Sequence, residues 1–65
     1  MNIKVNGKPE SISAGNLAAY LQDKGLDPKT LVVEYNGQVI KADLWADTLL
    51  SEGDQLELLS FVGGG

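Results

Sequence analysis

The chain has 65 residues, 43% hydrophobic and 22% charged, and this composition predicts a single small globular domain rather than a disordered segment. Nine acidic residues against five lysines give a net charge of −4, which argues against nucleic acid as a partner and favours a basic protein surface. The absence of cysteine excludes a disulfide framework, so we expect a cytoplasmic protein.

The residue types that are missing also limit the chemistry. Without histidine, cysteine or arginine, the chain lacks the common nucleophile–base pairs, the soft metal ligands and the guanidinium group that suits phosphate. We therefore expect neither an enzyme nor a metal site. The opening MNIKVNG has no apolar signal core, and no stretch is long and apolar enough for a membrane span, so we expect neither export nor insertion.

The first twelve residues have the pattern of a β-hairpin. Ile3 and Val5 alternate with a lysine, Asn6-Gly7 is a strong signal for a two-residue turn, and Ile12 is expected on the return strand. Pro9 cannot donate a ladder hydrogen bond, so it should lie at the start of the second strand or on its free edge.

The next segment, SAGNLAAYLQDKG, changes to helical periodicity and predicts one helix of about three turns. Its apolar face contains Leu17, Ala18 and Leu21, with Tyr20 at the margin.

The helix is bounded by capping signals at both ends. Ser13 or Asn16 is the expected N-cap, and Gly25 followed by Leu26 suits a left-handed C-cap. The pair at positions 27 and 28, Asp-Pro, prevents the helix from continuing.

The segment LVVEYNGQVI predicts a second hairpin around Asn36-Gly37. A helical turn is expected near DLWADTLL, where Trp45 is interpreted as a packing anchor, and a tight turn is expected at Glu52-Gly53-Asp54. The acidic residues of this region lack the spacing of a calcium loop.

Residues 55–62 form the last predicted strand. Alternation places Leu56 and Leu58 on one face, and Glu57, Leu59 and Phe61 on the other. The order β-β-α-β-β-β predicts an α+β fold of the ubiquitin-like β-grasp type. It comprises a mixed sheet of about five strands on one helix, with the first and last strands paired at its centre. Residues 1–62 form the predicted domain and residues 63–65 a flexible glycine tail.

The chain resembles the ThiS sulfur carrier proteins of thiamine thiazole synthesis. The resemblance covers the whole chain and rests on MNIKVNGKPESISA, VVEYNGQVI, the turn with Trp45 and above all EGDQLELLSFVGGG. The pair Gly64-Gly65 is shared with MoaD-type subunits of molybdopterin synthase and with ubiquitin-like modifiers. Chain length and the SFV before the glycines favour ThiS, and Gly63 is a mild departure from many ThiS tails.

The resemblance implies that Gly65 carries the reactive group, its terminal carboxylate. In this family a ThiF-like adenylyltransferase, related to ubiquitin-activating enzymes, uses ATP and Mg²⁺ to adenylate the carboxylate. Sulfur from a donor such as a cysteine desulfurase then gives a thiocarboxylate, which serves a ThiG-like thiazole synthase. The chain itself is expected to bind no cofactor and to be a monomer when alone. Gly63 and Gly64 are expected to thread into partner active sites, where a side chain would not fit.

The composition adds a constraint that is independent of the resemblance. With no cysteine in the chain, a persulfide cannot form, so covalently carried sulfur must reside on the Gly65 carboxyl group.

A partner-docking surface is expected on the sheet face that Leu56 and Leu58 do not occupy. Val32, Leu59 and Phe61 are predicted to form an exposed apolar patch, with Glu34 and Glu57 as an acidic rim for basic partner residues.

Three functions are compatible with these patterns. The first is the sulfur carrier for thiazole formation, and the second is a MoaD-like carrier for molybdopterin or another thiolation pathway. The third is a non-covalent β-grasp binding module with an inert tail. Loss of Gly65 would separate the third from the other two, whereas the acceptor enzyme distinguishes the first from the second.

Overall fold

The sheet has five strands, and the computed structural model describes residues 1–13 and 15–61. The strands are β1 (Asn2–Val5), β2 (Lys8–Ser11), β3 (Leu31–Tyr35), β4 (Gln38–Ile40) and β5 (Gln55–Ser60). One α-helix, α1 (Leu17–Asp23), and two 3-10 helices (Pro28–Thr30 and Ala42–Asp47) complete the described elements.

The strand order is β2-β1-β5-β3-β4, with β5 in the middle. β5 runs parallel to β1 and antiparallel to β3, while both hairpin pairs are antiparallel. The predicted α+β fold is therefore confirmed as a ubiquitin-like β-grasp, with the first and last strands adjacent at the centre of a mixed sheet.

Both predicted hairpins are present, and their turns have the expected chemistry. Asn6 and Gly7 have φ angles of 52° and 79°, and Asn36 and Gly37 have φ angles of 49° and 87°. Positive φ at both central residues defines a type I′ turn, whose twist matches that of the two flanking strands. Asn-Gly is the residue pair that adopts this turn most readily. The return strand of the first hairpin is slightly shorter than predicted, because β2 ends before Ile12.

Pro9 lies on the edge strand β2, opposite Lys4. The Lys4 N–H is directed the other way, donating to the Asp54 carbonyl on the β5 side at 2.9 Å. The pair therefore exchanges no ladder hydrogen bond, and the missing N–H of Pro9 faces away from the sheet, as predicted.

Helix α1 has seven residues, so the predicted length of about three turns is wrong. Asn16 is the N-cap, and its Oδ1 accepts from the Ala19 N–H at 2.8 Å, which decides between the two expected caps. At the other end Gly25, with φ of 71°, donates to the Gln22 carbonyl at 3.0 Å. Leu26 donates to the Leu21 carbonyl at 3.3 Å, which completes a Schellman motif. The two caps leave room for two turns. No helix within the described residues is long and apolar enough to cross a bilayer.

The core lies between α1 and the face of the sheet that it covers. Its buried apolar residues are Ile3, Leu17, Tyr20, Leu21, Leu31, Val33, Trp45, Leu50 and Leu56. Trp45 donates its indole Nε1–H to the Ile40 carbonyl at 2.8 Å and is only 6% exposed, so its interpretation as a packing anchor is confirmed.

Glu10 joins the edge strand β2 to the helix. Its Oε2 accepts from the Tyr20 hydroxyl at 2.8 Å and lies 2.9 Å from the Lys24 ammonium. The hydrogen bonds from Lys24 and Tyr20 lower the pKa of Glu10 below its ordinary value. Burial, together with the hydrogen bond to Glu10, raises the pKa of Tyr20. The sequence patterns did not indicate this contact.

We predict that Glu10→Gln destabilises the protein near neutral pH by about 0.5–1 kcal/mol, because Tyr20 and Lys24 lose a charged acceptor. A lowered pKa in the folded state stabilises the fold above the ordinary pKa of 4.5, and this contribution disappears as pH falls through the lowered value. Urea unfolding of both proteins from neutral pH to about pH 2 should therefore show that the difference between their free energies of unfolding disappears in acid. A difference in the free energy of unfolding that stays constant with pH would show that the ionised Glu10 carboxylate does not stabilise the fold.

Candidate functional site

The antiparallel register of β3 and β5 sorts their side chains between the two faces of the sheet. Leu56 and Leu58, paired with Tyr35 and Val33, lie on the face covered by α1. The alternate pairs, Val32 with Leu59 and Glu34 with Glu57, lie on the other face. The faces are therefore those that the sequence alternation predicted.

The apolar side chains of this second face are accessible. Leu59 is 59% exposed and Phe61 is 52% exposed, while Val32 is half-buried. β5 ends at Ser60, two residues earlier than the predicted strand. Phe61 nevertheless remains beside β3, because its N–H donates to the Thr30 carbonyl at 2.9 Å.

Val39 belongs to the same face and was missed in the sequence analysis. It lies opposite Glu34 in the β3–β4 pairing and is 64% exposed. The signal was available, because a two-residue Asn-Gly turn fixes the register of its hairpin and hence the face of each residue. We define the outer face as the set that these pairings and alternation bring together: Val32, Glu34, Val39, Glu57, Leu59 and Phe61.

The two carboxylates of the outer face are cross-strand neighbours. Glu34 and Glu57 are directly opposite each other in the antiparallel register, an arrangement in which like charges are destabilising. Within residues 1–13 and 15–61 the single ion pair is Lys24–Glu10, which is elsewhere, so neither carboxylate has a lysine within 4.0 Å. The outer face thus presents negative charge among apolar side chains, a surface suited to a partner that is both apolar and basic.

The asparagines of the two turns hold β5 from opposite sides. Asn6 donates its backbone N–H to the Leu56 carbonyl at 2.8 Å, and its Oδ1 accepts from the Leu58 N–H at 2.7 Å. Asn36 exchanges two bonds with Gln55: its N–H donates to the carbonyl at 2.8 Å and its Oδ1 accepts from the N–H at 2.9 Å. The strand that leads towards the C-terminal glycines is therefore fixed by side chains as well as by its ladders.

Asp54 is a buried carboxylate immediately before β5, with 8% exposure. Its Oδ1 accepts from Asn36 Nδ2 at 3.1 Å and its Oδ2 accepts from the Ser51 N–H at 2.7 Å. Gly53, with φ of 85°, provides the turn that brings these groups together. The residues Glu52-Gly53-Asp54 predicted this turn, but no sequence pattern indicated the burial of the carboxylate. Burial of the hydroxyl and its interactions with Asp54 raise the pKa of Tyr35.

The remaining predicted site residues are the C-terminal glycines. Residues 62–65 are outside the described part of the chain, so the roles of Gly63, Gly64 and Gly65 stay predictions. Among the residues that are described, no group of three or more potential metal ligands occurs. A groove of about 470 Å³ lies between β2 and α1 and includes the Glu10 contact.

The comparisons with known proteins identify the family. The model of the ThiS family matches residues 3–65. The chain belongs to the ThiS family. The crystal structure of the thiamine biosynthesis protein ThiS from Geobacter metallireducens is 33% identical, has a TM-score of 0.85 and aligns over 100% of both chains. The solution structure of a Geobacter metallireducens thiamine biosynthesis protein is also 33% identical, with a TM-score of 0.82, covering 100% of this chain and 88% of that one.

Two longer relatives are named thiazole synthase. The protein from Paramagnetospirillum magneticum is 32% identical over 66 residues, and that from Magnetococcus marinus is 36% identical over 66 residues. Both alignments cover 100% of this chain, which spans only 20% of the length of each relative. A segment similar to the ThiS family member described here is thus part of a larger protein in those two cases.

We predict that Glu57→Gln stabilises the protein by about 0.2–1 kcal/mol, because it removes the repulsion from the opposing Glu34. The urea midpoint of the variant should exceed that of the natural protein at low ionic strength, and the difference should shrink as salt screens the charges. A variant that is equally or less stable at low salt would show that the repulsion is negligible.

Proposed function

We propose that the protein is a sulfur carrier whose C-terminal Gly65 carboxylate is adenylated and converted to a thiocarboxylate for thiazole formation in thiamine biosynthesis. Membership in the ThiS family carries this proposal and supports the sulfur-carrier role. The names of the similar proteins, thiamine biosynthesis protein and thiazole synthase, favour thiazole over molybdopterin as the product.

The proposed chemistry starts from a poor acyl donor. A carboxylate oxygen of Gly65 attacks the α-phosphorus of ATP, pyrophosphate leaves, and an acyl adenylate forms. Hydrosulfide then attacks the carbonyl carbon, AMP leaves with the electron pair of the broken C–O bond, and the thiocarboxylate remains. Where the sulfur comes from a cysteine persulfide, the attack gives an acyl disulfide, and a thiol must reduce its S–S bond by two electrons to release the thiocarboxylate. ATP and Mg²⁺ belong to the ThiF-like adenylyltransferase, so the chain described here acts as a protein substrate and not as a catalyst.

The amino-acid composition restricts where sulfur can be attached. The chain has no cysteine, so a persulfide on this protein is excluded and the Gly65 carboxyl is the available covalent position. A donor such as a cysteine desulfurase supplies the sulfur in this proposal, and the protein is proposed to act in the cytoplasm.

The three C-terminal glycines suit entry into another protein's active site. Gly63, Gly64 and Gly65 have no Cβ, so the chain can pass a constriction that would exclude any other residue. Docking of the folded domain would then make delivery of the carboxyl group effectively intramolecular.

The outer face is the proposed docking surface for the adenylyltransferase. This face exposes three apolar side chains, those of Val39, Leu59 and Phe61. It also carries two carboxylates, Glu34 and Glu57, whose charge attracts basic partner residues. Because Leu59 and Phe61 lie on or next to the last strand, docking at this face would bring the following residues towards the partner.

A thiazole synthase is the proposed acceptor of the sulfur. A segment similar to the whole of this chain occurs within proteins named thiazole synthase, which supports a carrier and a synthase that act together. The carrier is proposed to be a monomer between these encounters.

We predict that the protein exchanges one oxygen for sulfur when incubated with ATP, Mg²⁺, a sulfide source and the ThiF-like adenylyltransferase of the same organism. Intact mass spectrometry followed by fragmentation should locate the exchange at Gly65. A variant that lacks Gly65 should remain folded and unmodified, because the shortened carboxylate no longer reaches the reaction centre.

An unchanged mass, under conditions that convert a known ThiS protein, would argue against the carrier function. Full biological activity of the variant without Gly65 would instead favour a binding module with an inert tail.

We predict that Leu59→Asp slows adenylation more than tenfold, because it places an unpaired charge where the proposed interface buries an apolar side chain. Leu49→Asp is the matched control, because Leu49 is 70% exposed but lies beyond the strands that form the outer face. Pyrophosphate release under limiting carrier concentration measures the rate, and thermal unfolding checks that both variants fold. Equal rates for the two variants would exclude the outer face as the docking surface.

A further inference from the structure

The two Asn-Gly turns have the same sequence and backbone conformation but different side-chain roles. In the described residues, the Asn6 side chain makes one hydrogen bond, as an acceptor from the Leu58 N–H. The Asn36 side chain uses both ends: Oδ1 accepts from the Gln55 N–H at 2.9 Å, and Nδ2 donates to Asp54 Oδ1 at 3.1 Å. Only Asn36 therefore requires the nitrogen of its amide.

An asparagine followed by glycine is chemically labile. The backbone nitrogen of Gly37 can attack Cγ of Asn36, because glycine carries no side chain that hinders the approach. The C–N bond of the amide breaks, Nδ2 leaves as ammonia and a cyclic succinimide remains. Water then opens the ring at either carbonyl to give aspartate or isoaspartate. The net change is the loss of ammonia and the gain of water, with no oxidation or reduction.

We propose that Asn36-Gly37 is a deamidation site at which the reaction is an irreversible structural switch that weakens the attachment of β5. The product places a carboxylate where a donor had faced Asp54. Asp54 is 8% exposed and its second oxygen is already held by the Ser51 N–H at 2.7 Å. Two carboxylates at hydrogen-bond distance repel each other and lose the hydrogen bond that joined the turn to the start of β5.

The isoaspartate product is more disruptive still. It inserts an extra methylene into the backbone at position 36, where the turn has φ of 49° and fixes the register of β3 with β4. The β4 edge strand is only three residues long, so this hairpin is poorly protected against local opening. Asn36 and Gly37 are exposed, and apart from the adjacent residues no heavy atom lies within 4 Å of the position that a Cβ would take on Gly37. The site is thus open to water.

The consequence of the reaction can be tested with genetically encoded products. Asn36→Asp should lower the Tm on the order of 10 °C, because it removes a donor from a buried carboxylate and adds repulsion. Asn6→Asp is the matched control and should change the Tm little, since a carboxylate oxygen still accepts from the Leu58 N–H. Equal Tm losses in the two variants, or no loss in Asn36→Asp, would overturn the proposal.

A double variant tests whether the loss acts through Asp54. In Asn36→Asp/Asp54→Asn the amide and the carboxylate exchange positions, so the hydrogen bond between them can form again and the Ser51 N–H retains an acceptor. We expect most of the lost Tm to return, and we expect the double variant to fold even if Asn36→Asp does not. Failure of the exchange to restore stability would show that Asp54 is not the coupled group.

Ageing of the natural protein tests whether the reaction occurs. Folded protein kept at mildly alkaline pH should acquire the mass change of an amide converted to an acid, and peptide mapping should place it at Asn36 as aspartate and isoaspartate. The modified fraction should unfold at a lower Tm than the unmodified fraction. A mass change absent from Asn36, or a modified fraction with unchanged Tm, would refute the switch.

Discussion

The parallel pairing of β1 with β5 is the interaction on which the rest of the structure depends. It joins residues about fifty positions apart in sequence through two register pairs, Lys4 with Gln55 and Val5 with Leu56. All intervening elements form the crossover that a parallel pair requires. Asn6 extends the short ladder, because its Oδ1 accepts from the Leu58 N–H at 2.7 Å. Along its other edge β5 pairs with β3, and these strands contribute Leu31, Val33 and Leu56 to the core.

The central position of β5 also links stability to the proposed chemistry. Leu56 is 1% exposed and packs in the core, whereas Leu59, three residues later, is 59% exposed on the outer face. One strand therefore anchors the fold, contributes to the proposed docking surface and leads towards the glycines. A strand fixes the distance between the proposed docking surface and Phe61 more narrowly than a loop would. The proposed transfer depends on that distance, since the carboxyl group must reach a partner's active site.

Local patterns predicted the elements well, and their failures have physical causes. Asn-Gly turns and alternating residues specify hairpins and faces through chain neighbours alone, and the β-grasp order followed from them. The predicted length of helix α1 was too great, because the helix begins after Asn16, which caps it by accepting the Ala19 N–H, and not after Ser13. The Glu10 contact with Tyr20 and Lys24, and the burial of Asp54, arise from the three-dimensional meeting of distant segments. The position of Val39 on the outer face was predictable, in contrast, because the hairpin register alone fixes it.

The identity of Asn36 shows how little freedom this structure leaves at its turns. Glycine would adopt the φ of 49° but has no side-chain oxygen to accept the Gln55 N–H. Aspartate would supply that oxygen but has no N–H to donate to the Asp54 carboxylate, as Asn36 does at 3.1 Å. Asparagine alone among these combines a tolerance of positive φ with an acceptor and a donor. A small core, with stability of about 3–5 kcal/mol, makes such contacts a large fraction of the total. The repulsion between Glu34 and Glu57 on the outer face is then offset by the hydrogen bonds that Asn6 and Asn36 make on the two sides of β5, so the turns stabilise the surface that is proposed for docking.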